Sequence, residues 1–318
     1  MGVIMKKFVG ISDIHLLSKK PIARTDDILM MQWSKFDFLV EYCLQNDIYS
    51  IFHAGDLTED AVGWSVFYQL SQRLHTLKSN GIKFFTIYGQ HDLIARTRKN
   101  TTLELLSRLG LVQILNQDPI NIVDQGFCSR FYGCSYGEEV PKIYDIEGVQ
   151  SKHFLIIHDS ISDVELWPGS GRKPSKLFLR QNPFDFILCG DIHREFTTYD
   201  GGRVIINTGP MIRAEATEYN FSHKPKFIIF NQTGNILDQV VIQHHPSTEV
   251  ISCEHIRKEA DRQERKERMK AEFSKAMLEK TTFTFKQNLS SFIRDNAVEE
   301  EVVHEIETAR EENTMGGK

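Results

Sequence analysis

Apolar residues recur along this chain in two rhythms. Short runs rich in Phe, Ile, Val and Leu alternate with longer stretches whose apolar positions return every three or four residues. The first rhythm is that of buried strands, the second that of amphipathic helices. Phe8-Val9-Gly10-Ile11 opens the series as a strand that turns polar at Ser12. A helix is predicted from about Trp33 to Gln45, with Trp33, Phe36, Val40 and Cys43 on one face. Tyr49 to Ala54 reads as a second strand. A helix from about Ala61 to Lys78 follows, with Val62, Val66, Leu70, Leu74 and Leu77 as its stripe and Asn80-Gly81 as its stop. Lys83 to Ile87 is a third strand. Three strand–helix units in succession predict a largely parallel sheet covered by helices.

The middle of the chain is less regular. Thr101 to Leu109 reads as a helix ended by Gly110. Ile120 to Val123 and Ser129 to Gly133 are predicted strands around an Asp124-Gln125-Gly126 turn. His153 to Ile157 and Phe184 to Cys189 are buried strands. Arg203 to Asn207, Lys226 to Asn231 and Ile236 to Gln243 predict antiparallel hairpins. At His244-His245-Pro246-Ser247 the pattern changes. Glu254 to Lys280 is dense in Glu, Lys and Arg, polar all round at first, with Met269, Phe273, Ala276 and Met277 as a later apolar stripe. Such a helix bridges solvent or waits for a partner. Two shorter helices are predicted around Phe285, Leu289, Phe292 and Ile293 and around Val298, Val302 and Ile306, with a disordered tail after Arg310. Residues 1–250 and 251–318 are thus read as two regions.

Composition narrows the class without choosing within it. The chain has 318 residues, 41% hydrophobic and 25% charged, and a formal net charge of -5, so no global basic signal points to nucleic acid. The five cysteines form no Cys-x-x-Cys pair, which predicts reduced thiols in a cytoplasmic protein. No apolar run is long enough to span a bilayer, and the start lacks a signal-peptide core. Met-Gly opens the chain, but Lys6 breaks the myristoylation pattern. No membrane association is expected.

The chemistry sits where the apolar runs end: Asp13 and His15, Asp56, Gln90-His91-Asp92, His158, and Asp191 with His193. Strand alternation would point Asp13 and His15 the same way. In a parallel sheet these ends lie along one edge, where ligands collect. Taken singly, each Asp reads as a cap and each His as a satisfied core residue. Five such ends on one edge predict a metal site. Carboxylate, imidazole and amide donors suit a two-cation centre with one bridging carboxylate. Two divalent ions about 3.5–4 Å apart can supply hydroxide at neutral pH and clamp a phosphate. Cys189, beside the cluster, is assigned to packing.

The ordered set Asp13-Ile-His15, Gly55-Asp56, Gly89-Gln90-His91-Asp92, His158 and Gly190-Asp191-Ile-His193 resembles the signature of calcineurin-like metallophosphoesterases, across residues about 6 to 245. Gln90 stands where that signature has Asn, and Asp191 where it has His. Within the superfamily the chain is most similar to SbcD-type DNA repair nucleases, in a short form such as viruses of bacteria carry. His53-Ala54-Gly55-Asp56-Leu57, Asn207-Thr208-Gly209-Pro210-Met211-Ile212-Arg213 and the helical C-terminus carry that likeness. The usual capping domain is missing or much reduced. The resemblance implies an α/β four-layer sandwich, two mixed β-sheets flanked by helices, with a C-terminal helical extension. It implies a nuclease domain over 1–250 and, over 251–318, helices that bind an SbcC-type coiled-coil ATPase. Asp13, His15 and His193 would hold one metal; Gln90, His158 and Asp191 the other; Asp56 would bridge. His91 would stabilise or protonate the leaving oxygen, and Asp92 would orient it. A homodimer acting as a DNA exonuclease and endonuclease is expected.

The two departures carry their own chemistry. Gln90 keeps an amide oxygen on a longer arm, and Asp191 adds a third carboxylate. Two divalent ions then carry about one net positive charge, which favours two Mn²⁺, with Mg²⁺ as the alternative, over Zn²⁺. Bound water should be somewhat less acidic. Basic residues border the motifs: Lys19, Lys20 and Arg24; Arg96, Arg98 and Lys99; Arg172, Lys173 and Lys176; and Arg194. The acidic runs Glu299–Glu301 and Glu311-Glu312 lie elsewhere. A basic rim around a metal edge predicts a DNA backbone as substrate. Two other readings stand beside it: a phosphatase or nucleotide phosphodiesterase on a non-DNA substrate, and a metal-poor structural subunit.

Overall fold

The computed structural model describes residues 5–59, 61–124, 126–144, 150–164, 172–279 and 285–315. Gln125 at the tip of the predicted turn, residues 168–171 of the loop after His158, and the side chains of Ala276, Met277 and Phe285 lie outside the described residues. The chain divides into two compact units, Met1–Ser252 and Cys253–Lys318.

In the first unit, β1 (Lys7–Ile11), β2 (Ile48–His53), β3 (Lys83–Thr86) and β4 (Gln113–Ile114) pair in parallel. A second sheet holds β5 (Ile120–Asp124), β6 (Phe127–Cys134) and β7 (Ser151–His158). After a small parallel ribbon of β8 (Ile161–Ser162) and β9 (Lys173–Pro174), β10 (Phe186–Gly190), β11 (Phe196–Asp200) and β12 (Arg203–Asn207) complete it. Its central strands are parallel, and antiparallel β5 and β11 close its edges. The hairpin β13 (Lys226–Asn231) and β14 (Ile236–Val241) returns to the first sheet and pairs antiparallel with β1.

Strand alternation sorts the side chains into layers. Val9, Ile11, Ile51 and Phe84 face outward against α1 (Ile28–Gln45), α2 (Trp64–Ser79) and α3 (Thr102–Arg108). Phe8, Phe52, Phe85 and Phe230 face inward against Phe131, Phe154 and Phe186 of the second sheet. Phe52 stacks on Phe131 at 4.0 Å, and Phe186 on Phe230 at 4.5 Å. The outer face of the second sheet, with Leu155, Ile157 and Ile187, is covered by Phe178 and Leu179 of α4 (Ser175–Gln181). Two short helices, α5 (Glu218–Ser222) and α6 (Ser247–Val250), complete this unit. The result is a four-layer sandwich of two mixed sheets flanked by helices.

Two expectations change here. The helix predicted from Trp33 begins at Ile28, where the Asp27 carboxylate accepts from the Met30 amide. Its first turn was hidden because buried Gln32 interrupts the apolar stripe, its amide spent on both backbone groups of Leu17. The ligand-bearing strand ends share no single edge: β1, β2 and β3 end in one sheet, β7 and β10 in the other. The phenylalanine-rich inner faces press the sheets together, so the two sets of ends meet.

In the second unit, α7 (Glu254–Glu279), α8 (Phe285–Asp295) and α9 (Glu300–Met315) associate. Phe273 meets Phe292 edge-on at 4.9 Å, Leu289 and Val302 are buried, and Arg262 and Lys266 pair with Glu301. Residues 256–265 of α7 are exposed on every side. The tail expected to be disordered after Arg310 continues as helix to Met315, since its Glu-rich run contains no Gly or Pro before 316.

Candidate metal centre

Asp13, His15, Asp56 and Asp191 all have positive φ, at 50°, 47°, 58° and 93°. The strands before them end at Ile11, His53 and Gly190. Asp13 and His15 therefore converge through left-handed backbone, and the expected strand alternation does not apply to them. Asp and His tolerate this region better than most residues, and such strain gathers at functional sites. Neighbouring backbone holds it in place. His15 N–H donates to Asp56 O at 2.9 Å, and Leu16 N–H to Leu57 O at 3.0 Å. Met211 N–H donates to Asp13 O at 3.0 Å, and Asp191 N–H to Asp13 Oδ1 at 3.0 Å.

The side chains then gather in three overlapping groups, one of them His15, Glu59 and His91. Ligand atoms of Asp13, His15 and His193 lie within 4.8 Å of one another, as do those of Asp13, Asp56 and His158. Asp56 Oδ2 stands between, 3.6 Å from His15 Nε2 and 3.2 Å from His158 Nε2. Each ring nitrogen on the far side is occupied: His158 Nδ1 lies 2.7 Å from Ala54 O, and His15 Nδ1 lies 2.6 Å from Glu59 Oε2. Donating there leaves the Nε2 lone pairs facing inward. His15 Nε2 faces His193 Nε2 at 2.9 Å, and His158 Nε2 faces Gln90 Oε1 at 2.8 Å. Asp13 Oδ2 and Asp56 Oδ2 are buried with no well-aligned donor, and His158 Nε2 lies 3.2 Å from Asp56 Oδ2. Lone pairs converging without donors fit a pair of cations. Burial lowers the basicity of His158, but the Asp56 and Asp13 carboxylates and the Ala54 carbonyl together outweigh it and raise the ring to about 10. A field that holds a proton so firmly holds a cation in its place.

Gln90 and Asp191 lie on the His158 side. Gln90 Nε2 donates to Asp191 Oδ1 at 2.8 Å, and the Ser160 hydroxyl donates to Asp191 Oδ2. Asp191 Oδ1 is 4.0 Å from His158 Nε2. Asp191 is thus tied to Gln90 and Ser160, and it stands outside all three groups.

Asp92 has a different place from the one expected. Its carboxylate accepts from the amides of Asp56, Leu57, Thr58 and Gly89 at 2.8 to 3.3 Å. It clamps the loop that carries Asp56. The carboxylate beside the His91 ring is that of Glu59, 3.0 Å from Nδ1. The His91 amide in turn donates to Asp56 Oδ1 at 2.9 Å. Glu59 was missed in the sequence. Its position three residues after Asp56 was the available signal. Also missed was a buried strut: Asn207 Nδ2 donates to Ile192 O, while Asn207 Oδ1 accepts from Ser12 Oγ and Gly209 N. It joins the segments carrying Asp13 and His193.

The basic rim is thinner than predicted. Arg24 is buried, paired with Asp26 and donating to Arg213 O at 2.9 Å, so it is structural. Arg98 pairs with Glu138 and lies over the Tyr88 ring, and Lys173 pairs with Asp159. Lys19, Lys20, Arg96, Lys99 and Lys176 are exposed, while Arg172 and Arg194 are half-buried.

The chain belongs to the calcineurin-like phosphoesterase family, whose sequence profile matches residues 6–195. This family uses a dinuclear metal site. The chain is 26% identical over 270 residues to the DNA double-strand break repair protein Mre11 of Saccharolobus solfataricus, covering 80% of this chain and 68% of that protein. Among solved structures, TT1561 of Thermus thermophilus covers 75% of this chain and 100% of its own, at 7% identity and a TM-score of 0.46. A novel archaeal phosphodiesterase covers 74% and 99%, at 13% identity and a TM-score of 0.38. Likeness at that level carries no functional argument. Among the described residues no helix is long and apolar enough to cross a membrane.

Proposed function

We propose that this protein is a two-metal phosphodiesterase that acts on DNA as an exonuclease and endonuclease, with Mn²⁺ preferred and Mg²⁺ as the weaker substitute. One observation carries the reading: buried, donor-free carboxylate oxygens and inward imidazole nitrogens meet at one place, with His91 beside them. Asp13, His15 and His193 would hold one ion, His158 and Gln90 the other with Asp191 close by, and Asp56 would bridge. Such a pair of ions supplies Lewis acidity and a nucleophile at neutral pH. The chain's own part is positional. Asp56 fixes the His91 backbone, and Glu59 takes the His91 Nδ1 side, so that Nε2 would be the nitrogen that protonates the leaving oxygen.

The DNA substrate is supported by the similarity to Mre11 and by the exposed lysines and arginine around the motifs. Residues 251–318 would grip an SbcC-type coiled-coil ATPase, supported by the separate helical unit and the fully exposed stretch of α7. A homodimer is supported by α2, where Trp64 and Tyr68, one turn apart, are 81% and 57% exposed. The loss of Arg24 from the rim, with Arg98 and Lys173 ion-paired, is the observation favouring the alternative of a nucleotide phosphodiesterase on a small substrate. Cleavage of a labelled duplex against bis-p-nitrophenyl phosphate, each with Mn²⁺ and with or without the ATPase, separates the two. Cleavage of the small ester alone under every condition rejects the nuclease.

A further inference from the structure

Strand β6 also ends at the site, and its end carries no residue of the metal-binding motifs. Because β6 runs parallel to β7, the turn after Cys134 lies beside His158. Tyr136 stands on that turn. Its ring meets the His158 ring edge-on, 6.3 Å between centroids, yet the residue is 49% exposed. The ring thus borders the group that would hold the second ion while the residue keeps half its surface exposed.

The turn is built to hold it there. Tyr136 N–H donates to Tyr88 O at 2.8 Å, and Tyr88 N–H donates to Ser135 Oγ at 3.2 Å. The Tyr136 backbone is thereby fixed to the segment that runs into Gly89-Gln90-His91. Gly137 has a φ of 79°, which lets the chain reverse. Glu138 accepts from Ser135 N–H at 2.9 Å, and Arg98 clamps the same carboxylate. Arg98 itself lies over the Tyr88 ring, 4.9 Å from its centroid. So a guanidinium expected on the DNA rim locks the Tyr136 turn. A half-exposed aromatic on a braced turn, beside a polar site, is suited to a planar ligand.

We propose that Tyr136 is a nucleobase-stacking residue, seating the base next to the phosphodiester on the His158 side of the centre. This rests on the phosphodiesterase reading and adds a substrate class to it: nucleotide esters over simple alkyl esters. Stacking on an aromatic ring tolerates any base and commonly contributes about a factor of ten in affinity per base.

The test uses the full chain with Mn²⁺ and two substrates with the same leaving group, thymidine 5′-(p-nitrophenyl phosphate) and methyl p-nitrophenyl phosphate. Tyr136→Ala should lower the preference in kcat/KM for the nucleotide ester about tenfold, chiefly through KM. Tyr136→Phe should keep that preference, because the ring and not the hydroxyl is needed. By calorimetry, thymidine 5′-monophosphate should bind Tyr136→Ala about tenfold more weakly, with no such change for inorganic phosphate. An unchanged preference in Tyr136→Ala, equal losses for thymidylate and phosphate, or a Phe variant that behaves like Ala would each overturn the proposal. If the wild type cleaves neither ester, the phosphodiesterase reading fails, and thymidylate binding still decides the role of Tyr136.

Discussion

Replacing Gly89 with alanine tests the centre without touching a ligand. Gly89 has no positive φ, so alanine meets no backbone strain there, only a lack of space. A Cβ at Gly89 would stand 2.0 Å from Asp56 Oδ1, 2.5 Å from Asp56 N and 2.6 Å from Asp56 Cγ. Ordinary contact begins at 3.4 Å, so the carboxylate must retreat by about 1.4 Å. It has little room to do so. Asp56 is fully buried, its Oδ1 holds the His91 amide, and Asp92 clamps both the Asp56 and the Gly89 amides. Overpacking of this kind costs about 1–3 kcal/mol, which lowers Tm by roughly 2–12 °C in a unit of this size. A displacement of about 1 Å at a catalytic group costs on the order of 100-fold in rate. Gly89→Ala should therefore lose most hydrolysis of bis-p-nitrophenyl phosphate and bind less Mn²⁺, measured by mass spectrometry after desalting. Gly63→Ala is the control, since a Cβ there meets nothing within 4 Å. Full metal content and kcat within twofold of wild type in Gly89→Ala would show that the Asp56 position is not what sets the centre.

Further expectations follow from the same geometry. His91→Ala should keep its metal and lose about 10²–10⁴-fold in kcat, whereas Asp56→Ala should lose metal; metal loss in His91→Ala would move that histidine into the ligand set. Glu59→Gln should reduce metal affinity or activity by about 10–100-fold by loosening His15 and His91, and wild-type values for both would remove Glu59 from the positioning role. Lys35 is buried with its ammonium donating to Met211 O; burial, with Arg213 and Arg24 nearby, pushes its pKa down from 10.5 to about 7. Between pH 7 and 10.5 the unfolded chain binds more protons at this position, so stability rises with pH through that window. Relative to Lys35→Met, the wild type should gain about 2 kcal/mol in denaturant unfolding between pH 7 and 9, and parallel pH profiles would refute it. Removing residues 253–318 should leave small-diester hydrolysis intact and abolish ATPase binding; a loss of both would tie the helical unit to the catalytic fold.

The sequence by itself determined the elements and the reactive positions. Periodicity placed the strands that end near His53, Thr86, His158 and Gly190, because a buried strand must be apolar and its polar end is abrupt. The spacing of Asp13, His15, Asp56, His158 and His193 marked residues that the fold does bring together. Tertiary structure decided how they meet. Left-handed backbone at Asp13 and His15 is fixed by partners in the Asp56 and Met211 segments, and no local pattern encodes it. Two facing sheets, not one edge, assemble the centre, because the inner phenylalanines on both can be buried only against each other. Long-range partners also set the fate of equal-looking charges. Arg24 went inside to Arg213 O, Arg98 went to Glu138, and Asp92 went to the amides of Asp56, Leu57 and Thr58, leaving Glu59 beside His91. A charged side chain announces its chemistry in the sequence, but its partner is fixed only when the fold chooses which neighbour desolvates it.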